Sequence, residues 1–387
     1  MKIQFNNLSK QWDTIKQEAL PRLEGLFERS DFIGGNDVKV FEKNFAKYIG
    51  TRYAVGVSNG TDAIKLALMS LDLDSGHVKY AGSRSKIGII VPSHTFIATL
   101  LAAEQAYPNA DFIFIDCDKY FQMDINLLQA TVVRERHKWE HCVILPVHLY
   151  GHCVDMAKLT EFATKNNCIV VEDASQSHGT KTADGLHTGF HGRLSAFSLY
   201  PGKNLGAAGD AGIITTNDES LYKRLLKLRN LGSDTKFYHD IKGCNNRLDT
   251  LQAIILDEKL KYLDEWNNKR IDVAKRYSSE IKNPLIELPE TASYCSKNTY
   301  HVYPVLVEDR KEFVAHLEEN EVQTNVHYPV PIELSPAFAE ECHSVLSPNT
   351  RRYARMLTSL PIHPFMKKDE IQYVIDTVNS FSGKPRL

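Results

Sequence analysis

Short, continuously apolar runs alternate with helix-like segments over the first two thirds of the chain. The runs fall at residues 53–57, 89–91, 112–115, 142–147, 169–172, 196–199 and 212–215. Helical spacing lies between and after them, at 61–71, 96–105, 124–131, 156–166 and 218–230. A strand that is apolar on both faces must be covered on both faces. Strands of that kind separated by helices predict an α/β fold with a mostly parallel sheet between helical layers. In such sheets ligands bind beyond the carboxyl ends of the strands.

A polar, helix-rich stretch, 246–281, leads away from this body, and prolines punctuate 284–289. Strand and helix signals then resume: strands at 299–307 and 322–327, helices at 309–319, 349–357 and 368–381. We expect a large α/β domain over residues 1–245. Residues 246–387 then form a connecting helix and a smaller C-terminal α+β domain. A helix at 10–27 packs on one of the two, and the residues do not say which. The polar connection 74–88 reads as a surface loop.

Charge and cysteines narrow the function. With 46 Lys and Arg against 48 Asp and Glu, the formal net charge is −2 and the chain has no electrostatic case for nucleic acid or a membrane surface. The first residues carry no secretory signal, and no stretch is long and apolar enough for a transmembrane helix. Seven scattered cysteines without a Cys-x-x-Cys pair point to reduced thiols in a cytoplasmic protein. The fifteen histidines form no metal-ligand pattern. His148 and His152 read as polar residues at a strand end.

Lys203 stands in Phe-Ser-Leu-Tyr-Pro-Gly-Lys-Asn-Leu-Gly (197–206), among small and apolar residues. Lost hydration disfavours an ammonium, so such an amine becomes a usable nucleophile. Asp173 closes the apolar strand Val170-Val171-Glu172. A carboxylate there can hold a protonated pyridine nitrogen. Ser58-Asn59-Gly60-Thr61-Asp62-Ala63 runs from a strand into a helix, whose free amides and dipole form an anion site. Amine, carboxylate and phosphate cradle together are the parts of a pyridoxal 5′-phosphate site. Gln176 stands where it can bond the ring hydroxyl, Phe96 can stack on the ring, and Ser198 can reach the phosphate. Each also has an ordinary structural reading: Asp173 as a helix cap, Phe96 as core, Ser58-Asn59-Gly60-Thr61 as a plain helix start.

Five segments match one pattern in order and spacing: 58–63, Pro-Ser-His-Thr-Phe-Ile-Ala-Thr (92–99), Val-Glu-Asp-Ala-Ser-Gln-Ser-His-Gly (171–179), 197–206, and Asn-Asn-Arg-Leu-Asp-Thr-Leu-Gln-Ala (245–253). The chain resembles the DegT/DnrJ/StrS family of pyridoxal phosphate-dependent sugar aminotransferases from about Phe5 to Phe381. The resemblance implies the type I aminotransferase fold. It implies Lys203 as the lysine that holds the cofactor and shuttles the proton, with Asp173, Gln176 and Phe96 around the ring. Gly60, Thr61, Asp62 and Ser198 fall at the phosphate. Asn245 is similar to a residue that reaches the phosphate from the other subunit of a homodimer with shared sites. Pyridoxamine 5′-phosphate is the implied intermediate form, and L-glutamate the implied donor.

Tyr200-Pro201-Gly202-Lys203-Asn204-Leu205-Gly206 and Asn325-Val326-His327-Tyr328-Pro329 resemble the branch that aminates C-3 of dTDP-linked 3-keto-6-deoxyhexoses. Tyr200, His327 and Tyr328 are the implied substrate contacts. Amination at C-4, or a non-catalytic cofactor-binding regulator, are the alternatives. Dehydratase relatives carry His in place of the lysine, which Lys203 argues against. Cys244, where an aromatic is usual, and the longer 74–88 connection depart from the pattern.

Overall fold

The computed structural model describes residues 1–73, 86–338 and 346–383. Two helices, α1 (Leu8–Arg29) and α2 (Asn36–Ile49), precede the first strand, β1 (Tyr53–Val57). Then follow α3 (Gly60–Ser70), β2 (Ile87–Pro92), α4 (Ala98–Ala106), β3 (Asp111–Ile115), α5 (Ile125–Glu135), β4 (His141–Ile144), α6 (Met156–Lys165) and β5 (Ile169–Asp173). A short β6 (Lys181–Thr182) precedes β7 (Leu194–Ser198), β8 (Gly212–Thr216) and α7 (Glu219–Leu228). The seven-stranded sheet has the order β1-β8-β7-β5-β4-β2-β3. Strand β8 runs antiparallel to both its neighbours, and the other pairs are parallel. The mostly parallel sheet expected from the apolar runs is what the chain forms.

Its faces are covered as those runs require. Val55, Val57, Ile89, Val91, Val143 and Val171 pack with Ala63, Ile64 and Ala67 of α3 on one side. Ala54, Phe197 and Ile213 meet Phe41 and Phe45 of α2 on the other. Each such side chain contributes about 1.5–3 kcal/mol relative to exposure. The sequence reading assigned no element to residues 36–49. Its buried residues Val38, Phe41, Phe45 and Ile49 follow helical spacing, and Gly50 ends α2 in the left-handed conformation at φ 94°.

After the sheet come α8 (Thr250–Leu260), α9 (Leu263–Glu280), β9 (Cys295–Lys297), β10 (Tyr303–Leu306), α10 (Arg310–Glu319), α11 (Pro348–Met356), β11 (Leu357–Leu360) and α12 (Lys368–Ser380). β9 pairs with β6, and β10 pairs with β11. Val273 and Tyr277 of α9, Tyr303 and Val305 of β10, Phe313 of α10 and Val374 of α12 share a second core. Two local expectations fail here. Residues 322–327 form no strand; they make single bridges, Val322 to Ile3 and Asn325 to Ser359. The strand that pairs with β10 is β11, four residues expected at or beyond a helix end. Pairing across the fold, not local pattern, makes those four residues a strand. The position of α1, open from sequence, is settled: Ile15 and Ala19 pack on Ile255 of α8 and Trp266 of α9. Most of the 74–88 connection, residues 74–85, lies outside the described residues.

Candidate active site

Strand register brings the site together. Val57 at the end of β1 and Ser198 at the end of β7 both pair with Gly212. Asp173 at the end of β5 pairs with Ala196. Three carboxyl-terminal strand ends therefore meet at the start of β8. A cavity of about 800 Å³ opens there. Gly60, Thr61, Asp62, Phe96, Asp173, Gln176, Ser198, Tyr200, Lys203, His327 and Tyr328 all line it. Of the residues singled out from sequence, Asn245 alone is not on its wall. Asn245 is exposed and forms a bridge with Asn230.

The anion cradle is built by helix capping. Asn59 caps α3, its side chain accepting from the amide of Asp62 at 2.8 Å. The first intrahelical bond runs from Ala63 to the Asn59 carbonyl, which leaves the amides of Gly60 and Thr61 ahead of the ladder. A Cβ on Gly60 would stand 2.5 Å from Cβ of Ser198, so only glycine allows the helix start to sit on the end of β7. Asp62 differs from its neighbours. Its carboxylate accepts from Ser58 Oγ at 2.6 Å and Asn59 Nδ2 at 2.8 Å, and pairs with Lys65 at 2.5 Å. That carboxylate shapes the turn.

Lys203 lies in the loop between β7 and β8, and its amide donates to the Tyr200 carbonyl. Burial pushes its amine down to about 8, while the Asp173 carboxylate pulls the other way. The loop is held from behind by residues that sequence reasoning did not single out. Lys259 Nζ donates to the Gly206 carbonyl at 2.6 Å and to Gln11 Oε1 at 3.0 Å. Gln252 accepts from the Ala208 amide, and Asn204 Nδ2 donates to Asn267 Oδ1. Gln252 falls within the matched segment 245–253, but no pattern marks Lys259 or Asn267, whose partners lie far away in sequence.

Asp173 accepts from Thr99 Oγ1 at 2.9 Å on one oxygen and from the Ser175 amide at 3.1 Å on the other. Thr95 Oγ1 lies 3.0 Å from Thr99 Oγ1. Gln176 Nε2 donates to the Tyr328 hydroxyl at 2.9 Å, and the Phe96 and Tyr328 rings stand 5.3 Å apart. His327 Nδ1 lies 2.9 Å from Ser359 Oγ, and burial beside Lys203 pushes its pKa down to about 4. His301, a further wall residue, is pushed well below the usual range by burial, then by Lys203. The imidazoles around the amine are therefore neutral at pH 7.

Among the described residues one cluster, His152, Cys153 and Cys295, brings metal-binding atoms within 4.8 Å of one another. His152 Nε2 already accepts from the Ala292 amide at 3.0 Å, and three groups fall short of a structural zinc site. The described cysteines carry free thiols. No helix among the described residues is long and apolar enough to cross a membrane.

The cavity fits pyridoxal phosphate on its own chemistry. A desolvated amine, a carboxylate with spare lone pairs and a free helix start face one space. Fold and site together define a pyridoxal phosphate-dependent aminotransferase. The chain belongs to the DegT/DnrJ/EryC1/StrS aminotransferase family, whose model matches residues 13–379. It is 36% identical to the dTDP-3-amino-3,4,6-trideoxy-alpha-D-glucose transaminase of Streptomyces venezuelae, over 99% of this chain and 97% of the relative. It is 37% identical to the dTDP-3-amino-3,6-dideoxy-alpha-D-galactopyranose transaminase of Aneurinibacillus thermoaerophilus, over 94% of each. The crystal structure of Streptomyces venezuelae DesV in complex with a ketimine intermediate superposes with a TM-score of 0.89 at 36% identity, covering 98% of both chains.

Proposed function

We propose that this enzyme transfers the amino group of L-glutamate to C-3 of a dTDP-linked 3-keto-6-deoxyhexose, giving the 3-amino-3,6-dideoxy sugar nucleotide. The observation that carries the reading is Lys203 beside Asp173 in one cavity with the α3 helix start. Likeness to two dTDP-3-amino sugar transaminases over nearly the whole chain supports the sugar and the carbon.

Gly60, Thr61 and Ser198 would hold the phosphate, Asp173 the ring nitrogen and Gln176 the ring hydroxyl, with Phe96 against the ring. When bound, the cofactor supplies an electron sink for charge that develops on the reacting carbon. The chain's own part is proton handling and exclusion of water. Lys203, with its pKa near 8, can take a proton at Nζ in one direction and return it in the other. Asp173, held by bonds from Thr99 Oγ1 and the Ser175 amide, would present its carboxylate to the ring nitrogen. Tyr200, His327 and Tyr328 would meet the sugar.

We read the enzyme as a cytoplasmic homodimer, divided near residue 245 into a large cofactor-binding domain and a smaller C-terminal one. Asn245 is exposed, away from its own cavity, and would reach the phosphate of the partner's site. The cavity wall carries Asp62, Asp173 and Asp210 against Lys203, so further cations for an anionic substrate would come from the second copy. Exposed Phe27, Phe32, Phe237 and Tyr238 offer apolar area for that contact.

Cofactor-loaded protein, glutamate and a panel of dTDP- and UDP-linked keto-sugars, with products read by NMR, test the reading. Nitrogen on C-3 of a dTDP sugar is expected. Nitrogen on C-4, or binding without turnover, rejects it.

A further inference from the structure

Tyr150 belongs to none of the matched motifs and does not line the cavity, yet it bonds to two residues that do. Its amide donates to Gln176 Oε1 at 2.9 Å. Its hydroxyl donates to the backbone carbonyl of His327. His94 Nε2 lies 2.7 Å from the same hydroxyl oxygen. A carbonyl can only accept, so the Tyr150 proton goes to His327 and His94 must supply its own. Burial pushes the His94 pKa down to about 4, so the ring is neutral, and the bond to Tyr150 places its single proton on Nε2.

The local backbone is unusual. Tyr150 has φ 64°, a left-handed value rare for a bulky residue, and Gly151 follows at φ 93°. A Cβ on Gly151 would come within 2.5 Å of the Tyr300 amide, so the turn is pressed against the 299–301 segment. Such a residue costs about 1 kcal/mol or more and persists where its surroundings over-determine it. Here the surroundings are the Gln176 and His327 bonds and the packing of the buried ring against Phe121 and His94.

The consequence for Gln176 is specific. With Oε1 engaged by the Tyr150 amide, its Nε2 must face Tyr328 and the cavity. The consequence for His327 is separate. Ser359 holds its ring, and Tyr150 holds its carbonyl. We propose that Tyr150 is a positioning residue that brackets Gln176 to the 325–328 segment, so that His327 and Tyr328 meet the nucleotide sugar in one pose. This rests on the aminotransferase reading above and adds the residue that sets the geometry of sugar recognition.

Tyr150→Phe removes the hydroxyl and leaves the amide bond to Gln176. In the cofactor-loaded enzyme the glutamate half-reaction, followed by cofactor absorbance, is expected to stay within about twofold of wild type, while KM for the keto-sugar rises about tenfold, the worth of one buried hydrogen bond. The calorimetric Kd of the amino-sugar nucleotide product should rise by the same factor. His94→Asn should shift both in the same direction by less, and it carries the test if Tyr150→Phe does not fold. Unchanged sugar KM and Kd, or equal slowing of both half-reactions, overturns the bracket. A wild-type enzyme that does not respond to glutamate sinks the transaminase reading alone, and the bracket is then decided by the calorimetric Kd.

Discussion

Thr99 Oγ1 donates to Oδ2 of Asp173 at 2.9 Å, from the first turn of α4 to the end of β5. The bond fixes the orientation of the carboxylate proposed to face the ring nitrogen. Thr99→Val keeps the shape and removes the donor. A hydrogen bond to a charged group contributes about 1.5–3 kcal/mol, so kcat should fall roughly ten- to a hundredfold. Stopped-flow absorbance with glutamate reads the loss. A rate equal to wild type would mean that Asp173 needs no such partner.

Lys203 should react as an unusually free amine. With its pKa near 8, roughly a tenth of the side chain is neutral at pH 7, against roughly three parts in ten thousand for an ordinary lysine. The rate at which apoprotein takes up pyridoxal phosphate should therefore climb from pH 6 and level off above about 8. A rate still climbing beyond pH 9 would contradict the depressed pKa. Lys203→Ala should abolish steady-state turnover.

Gly60→Ala places a methyl 2.5 Å from Ser198 Cβ. Overpacking of this kind costs about 1–3 kcal/mol, and the helix start must retreat from β7 to relieve it. Both the urea midpoint and the affinity for pyridoxal phosphate should drop. A variant that binds the cofactor as wild type does would show that the close approach is not needed.

Lys259 gives a stability signature. Burial holds its amine at about 8, against 10.5 for an ordinary lysine. Between those values the unfolded chain binds the extra proton, so folding stability gains with rising pH. Lys259→Met removes that gain and leaves the Gly206 carbonyl and Gln11 unpaired, at about 1–3 kcal/mol for each buried group. Urea unfolding at pH 7.5 and 9.5 should show the gap between wild type and variant widening at the higher pH. A constant gap would place the Lys259 pKa elsewhere.

Much of this site was readable before any coordinates. Lys203, Asp173 and Gly60 each follow an apolar run, and a parallel sheet puts the ends of such runs on one edge. Helix α3 could be read from Asn59 and Asp62, because capping is a local matter of a few bonds. The capped start of α3 follows from contacts between near neighbours in sequence.

Lys259, His301 and Tyr150 had no such signature, and Thr99, though inside the matched segment 92–99, carried no sign of its bond to Asp173. Their partners stand 74 residues away for Thr99 and Asp173, and 177 for Tyr150 and His327. A threonine, a tyrosine or a buried lysine looks the same in a sequence whether it faces water or a carboxylate. β11 shows the same limit, being a strand only because β10 lies beside it. Periodicity, caps and the chemistry of strand ends are written in adjacent residues, whereas hydrogen-bond partners, depressed pKa values and the placing of His327 arise when chain closure brings distant groups into a space without water.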